Sequence, residues 1–209
     1  MMAKKEEMIV SVGIDVGTEG AISAITGDHD IIYVNGWNLS KLKGVVRLRE
    51  MQKTLYDALL DIKKKLNDTD TMIVSIEEPP KVRNQKTYSI LCQMLGVAQL
   101  VVFNATNSVP LIFNTSTWKS CIGADVSAPT VLRGKNNQAE RELHMKNSVQ
   151  SAVLKYLAKA NKNNLRKIIT SSTIWRIRTE GDPFKSDAYD ALGVASAGLR
   201  ELEKVSLEA

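Results

Sequence analysis

The sequence predicts an α/β fold in which a mixed five-stranded sheet is flanked by helices. Three observations carry that reading. Near the N-terminus, three short apolar runs are separated only by tight turn sequences, so these consecutive strands must be antiparallel. A stretch of helical periodicity then precedes the next apolar run, which returns the fourth strand parallel to the first. The last part of the chain is a helix so rich in Ala, Leu and Val that it must pack on the sheet.

Met8 to Asp15, Ala21 to Thr26 and Ile31 to Gly36 read as the first three strands, joined by "GTEG" and "GDHD". Val45, Leu48, Leu55, Leu59, Ile62 and Leu66 then recur at helical spacing among charged residues. "TMIVSIEE" is the fourth strand, stopped by Pro79 and Pro80. Asn84 is placed to cap a second helix that runs to about Phe103, and Gly96 inside it predicts close packing against another element. "SVPLIFN" reads as a short fifth strand, and "TSTWKSCIG" as a helical turn capped by Thr115 or Ser116. Ala124 to Asn137 has no period and is rich in Gly, Pro, Asn and basic residues, which predicts a mobile loop. A charged helix from about Gln138 to Lys159 follows. Asn161 to Arg178 is basic, with strand-like "KIIT" and "TIWRI". Asp182 as cap and Pro183 at the first helical position then open the final helix.

With 209 residues and 44% apolar content the chain can bury one sizeable core, so a single domain over 8–209 is expected behind a disordered tail at 1–7. The start, "MMAKKEE", is mixed in charge, and no run of about eighteen uncharged apolar residues stands out. The expectation is a soluble, unexported protein with no membrane partner. Cys92 and Cys121, with only His29 and His144 beside them, write no zinc pattern and are expected to be buried free thiols in a reducing compartment. A divalent metal would therefore need oxygen ligands. Charge is lopsided: Thr117 to Arg178 holds twelve Lys/Arg against three acids, a net +9, whereas residues 1–116 balance to 0 and 179–209 carry −4. A block of this kind points to a polyanionic partner, although a solvated helix face also carries many lysines.

This order of elements is similar both to the ribonuclease H fold and to one lobe of the actin-like ATPases and sugar kinases, so topology cannot decide between a metal-bearing nuclease and a nucleotide-binding lobe. The acids and the length decide. On the first strand Ser11, Gly13 and Asp15 share one face, opposite Val10, Val12 and Ile14. On the fourth, Ser75 and Glu77 share a face opposite Val74, Ile76 and Glu78. The small, polar phase ends in an acid in both strands, which pairs Asp15 with Glu77. In "KSDAYDALGVA", Asp187 and Asp190 are three apart and project from one side of the helix. Acids near a buried face repel one another and are costly to desolvate unless a cation neutralises them. A two-lobed ATPase needs a second hairpin and an adenine site, for which the chain has no room, so no nucleotide cofactor is expected.

At "VGIDVG", "SIEEPP" and "SDAYDALGVA" the chain resembles the RuvC-type Holliday junction resolvases, more specifically their phage-encoded relatives, and "TSTWKSCIG" with its basic sequel looks like that family's region before the last helix. The resemblance spans nearly the whole chain, although its four-acid pattern also occurs in related transposases. It implies a ribonuclease H-like nuclease domain with a basic loop and helix insertion at about 123–178. It further implies a cytoplasmic homodimer that binds four-way DNA junctions and nicks them symmetrically with two Mg²⁺ ions, for which Mn²⁺ can substitute. The family's catalytic metal ligands fall on Asp15, Glu77, Asp187 and Asp190. Lys81, Arg83, Lys119, Arg133 and Lys135 are expected to contact DNA phosphates, or else to be ordinary surface cations. Trp118 and Trp175 can stack on bases or join the core, and Tyr189 is expected to pack on a neighbouring element. The helix from Asn84 to Phe103 is the expected dimer face. Pro79 and Pro80 stand where bacterial members carry an aromatic residue just after the second acid. A flap or RNA nuclease of the same fold, and a binding protein that has lost catalysis, are the alternatives.

Overall fold

The computed structural model describes residues 7–124, 138–160 and 185–208. Strands β1 (Ile9–Asp15), β2 (Glu19–Thr26) and β3 (Ile31–Asn38) form an antiparallel meander. Helix α1 (Gly44–Lys63) leads to β4 (Thr71–Glu77), which lies parallel to β1, and helix α2 (Gln85–Thr106) leads to the three-residue β5 (Leu111–Phe113), parallel to β4. The sheet order is β3-β2-β1-β4-β5. Helices α3 (Thr115–Ile122), α4 (Gln138–Ala160) and α5 (Lys185–Glu208) follow.

Period-two alternation divides the core between the two faces of the sheet. Val10, Val12 and Ile14 of β1, with Val74 and Ile76 of β4, pack against Met51, Leu55 and Leu59 of α1 and Met94 and Ala98 of α2. The opposite face is covered by α5 through Ala188, Ala191, Leu192 and Ala195, backed by Val149 and Val153 of α4 and Trp118 of α3.

Several local expectations are corrected. Asn84 does cap α2, accepting from the Lys86 and Thr87 amides at 3.0 and 3.2 Å, but the helix runs on to Thr106, where Asn107 takes a left-handed cap (φ 57°). The cap of α3 is Asn114, not Thr115 or Ser116: its carboxamide oxygen accepts from the Thr117 amide at 2.9 Å. A Cβ on Gly96 would meet nothing within 4 Å, so the close packing expected there does not occur among the described residues. Cys92 is exposed and Cys121 half-buried, not buried as expected; Cys92 lies on the side of α2 turned away from the core. By length and composition α2 could also cross a membrane, yet Met94, Ala98, Val101, Val102 and Ala105 are buried on the fold. Asp182, Pro183, the loop before α4 and the strand-like segments after it lie outside the described residues.

Candidate active site

Asp15 is the last residue of β1 and Glu77 the last of β4, and because those strands are parallel neighbours both acids leave the same edge of the sheet. Both belong to the small, polar phase, and that phase faces α5. The Ser11 hydroxyl donates to the Ala195 carbonyl at 2.7 Å, while a Cβ on Gly13 would sit 2.0 Å from the Ala191 oxygen and 2.4 Å from the Ala195 nitrogen. A Cβ on Gly198 would likewise fall 2.5 Å from the Ser75 hydroxyl. Only small residues permit this approach.

The same contacts set the register of α5. Four helical residues rise about 6 Å and two strand residues about 6.6 Å, so the step from Ser11 to Gly13 matches the step from Ala195 to Ala191. One step further aligns Asp15 with Asp187, and Asp190 is three residues along the same side of the helix. One carboxylate oxygen from each of Asp15, Asp187 and Asp190 lies within 4.8 Å of the other two, and all three residues are half-buried. Glu77 is buried beside them, its Oε1 accepting from the Thr115 hydroxyl at 2.6 Å.

Burial, followed by the negative charges of Glu77, Asp190 and Asp187, pushes the Asp15 carboxyl well above its ordinary range. Asp190 is pushed up to about 7, first by burial, then by Glu77 and Asp187. Lys119 opposes the rise at both aspartates, and Lys146 opposes it at Asp190. Carboxylates that resist ionisation, with no His or Cys among them, are a hard oxygen donor set whose charge a divalent cation such as Mg²⁺ would neutralise.

Of the four sequence-predicted acids, the structure gathers Asp15, Asp187 and Asp190 within 4.8 Å, while Glu77 stands outside that trio and acts on Asp15 and Asp190 through its charge. Of the predicted basic residues, half-buried Lys119 acts electrostatically on Asp15 and Asp190. Lys81 is exposed after β4 and lines a cleft of about 460 Å³ between Glu78 to Lys81 and Asn114 to Ser116. Arg83 is exposed on the same loop, whereas Arg133, Lys135 and Trp175 lie outside the described residues. Trp118 is a core residue with no exposed surface, which removes it from base stacking. Tyr189 is buried and accepts from the Gln150 side chain of α4 at 3.2 Å. A Cβ on Gly20 would come within 2.6 Å of the Trp37 indole and of the Asp15 carbonyl, so packing within the protein requires glycine there. The sequence does not mark Thr115 or Lys146 as neighbours of the acids: Thr115 reads as a helix cap, and nothing in a charged helix singles out Lys146.

A five-stranded sheet of this mixed order, with helices on both faces, is a ribonuclease H-like fold. Two solved structures of Thermus thermophilus RuvC share it. One aligns with a TM-score of 0.57 at 14% identity over 94% of this chain and 96% of that one. The other, RuvC in complex with Holliday junction substrate, aligns with a TM-score of 0.55 at 12% identity, covering 95% of this chain and 96% of that one. No protein-family profile and no curated protein matches the sequence.

Proposed function

We propose that this protein is a divalent-metal-dependent, structure-selective endonuclease that resolves four-way DNA junctions by symmetric nicking. The observation that carries the reading is the convergence of Asp15, Asp187 and Asp190, with Glu77 beside them, at the edge of a sheet shared with RuvC. Two Mg²⁺ ions, or Mn²⁺ in their place, would supply an activated water and charge stabilisation for the leaving oxygen.

The residues of the chain divide the remaining work. Asp15, Glu77, Asp187 and Asp190 are the proposed ligands. Lys119 offsets the charge of Asp15 and Asp190 and is a proposed contact for a phosphate of the strand to be cut. Lys81 in the cleft, Arg83 beyond it, and Arg133 and Lys135 in the basic segment are the other proposed phosphate contacts. Pro79 is buried and Pro80 exposed, so here a rigid edge follows the second acid in place of an aromatic wedge.

A junction offers two equivalent strands, for which a twofold dimer is the natural reader. Helix α2 supports that arrangement. Lys86 is its only charged residue, Leu100 and Phe103 are 57% and 48% exposed, and Gly96 leaves open space where another helix could approach. The test is to compare a four-way junction, a flap and a linear duplex with Mg²⁺. The reading expects preferential paired nicking of the junction, and an Asp15→Asn protein that still binds it without cutting. Equal cutting of all three substrates would contradict junction selectivity, and undiminished cutting by the variant would contradict the site.

A further inference from the structure

We propose that Thr115 is a positioning residue that holds the Glu77 carboxylate in its cation-binding orientation. This inference rests on the metal-site reading above and adds a residue to it. The contact is a hydroxyl donated to Glu77 Oε1 at 2.6 Å, short as bonds from a hydroxyl to a charged oxygen are. A carboxylate oxygen has two lone-pair directions, so the bond leaves Glu77 with acceptor capacity on both oxygens while removing much of its rotational freedom.

The residues on either side of the donor are themselves held in place. Asn114 accepts from the Ser116 hydroxyl at 2.6 Å and from the Thr117 amide and hydroxyl at 2.9 Å each, which fixes the first turn of α3 around Thr115. Behind it, Phe113 is in register with Glu77, and the Glu78 amide donates to the Phe113 carbonyl at 2.8 Å. Ahead of it, Trp118 is buried against α5, where a Cβ on Gly193 would come within 2.5 Å of the indole. Helix α3 is thus a strut between the strand bearing Glu77 and the helix bearing Asp187 and Asp190. As a β-branched residue, Thr115 loses little side-chain freedom in presenting its hydroxyl. Lys119, four residues on, shares its side of the helix, so one face of α3 serves the whole cluster.

The test measures Mn²⁺ binding to the DNA-free protein by calorimetry, with single-turnover junction nicking at saturating Mn²⁺ in parallel, for Thr115→Val, Thr115→Ala, Thr115→Ser and Glu77→Gln. Thr115→Val keeps the shape and removes the donor. It is expected to weaken Mn²⁺ binding about 10-fold or more, as loss of a hydrogen bond to a metal ligand does, and Thr115→Ser to restore it to within about threefold. Thr115→Ala must show the same loss as Thr115→Val. A purely structural role would lower the melting temperature and leave Mn²⁺ affinity unchanged, and that result would overturn the inference, as would a failure of serine to rescue. If the wild type binds no Mn²⁺, or if Glu77→Gln binds it as tightly as the wild type, the metal-site reading fails and takes this inference with it. Normal wild-type binding, weakened Glu77→Gln and an unaffected Thr115→Val would overturn the role of Thr115 alone.

Discussion

In metal-free protein, replacing Asp190 by Asn should stabilise the fold. The Asp190 carboxyl is pushed from 3.8 to about 7 by burial and by Glu77 and Asp187. At pH 8 that shift makes the ionised group cost about 4 kcal/mol relative to the unfolded chain. Asn keeps the shape and discards the charge, but its buried amide needs a partner of its own, so the net gain expected is about 2 kcal/mol. For a chain of this size, that raises the melting temperature by about 4–8 °C. The sign with pH follows from the direction of the shift. A carboxyl whose pKa is raised on folding favours the folded state when protonated, so the wild type loses stability as pH rises through about 7 and the advantage of the variant shrinks as pH falls below that value. Thermal unfolding in EDTA between pH 5 and 8, repeated with Mg²⁺, measures both effects. Mg²⁺ should stabilise the wild type at pH 8 and do much less for the variant. A variant no more stable than the wild type at pH 8 without metal, or one whose advantage grows toward pH 5, would refute the electrostatic reasoning.

Gly13→Ala should displace α5, since the new methyl would sit 2.0 Å from the Ala191 carbonyl. A loss on the order of 3 kcal/mol is expected in denaturant titrations, together with weakened Mn²⁺ binding. Removing the Lys119 charge, as in Lys119→Met, should raise the Asp15 and Asp190 carboxyls further, so the pH at which Mn²⁺ binding is half-maximal should move up in calorimetric titrations. Leu100→Glu with Phe103→Glu should leave far-ultraviolet circular dichroism unchanged and convert a dimer to a monomer in sedimentation at micromolar concentration. In the same pair of proteins, Cys92 should react with a thiol reagent faster in the double variant than in the wild type.

Where an element must satisfy one packing rule, the chain states it openly. The alternation of Val10, Val12 and Ile14 against Ser11 and Gly13 marks both the strand and the face that admits a helix, because only small residues tolerate an Ala191 carbonyl so close. The same parity on β4 singles out Glu77 over Glu78, and the spacing of Asp187 and Asp190 puts both on one side of α5. What is hidden depends on tertiary neighbours. Helix α2 is apolar nearly all round, so its composition does not reveal that Cys92 and Gly96 face outward. Asn114, Thr115 and Ser116 are all residue types that cap helices, and only the position of β4 beside β5 shows that Thr115 serves Glu77 while Asn114 makes the cap. Trp118 could read as a base-stacking residue until α5 is laid against it. The influence of Lys146 on Asp190 arises only when α4 packs on α5.

The most direct measurement is a crystal of the protein grown in Mn²⁺ with anomalous diffraction recorded at the manganese edge. The account predicts two peaks about 4 Å apart, with oxygen atoms of Asp15, Asp187 and Asp190 on them and Glu77 completing the set. Well-ordered carboxylates with manganese bound elsewhere and none between them would contradict it.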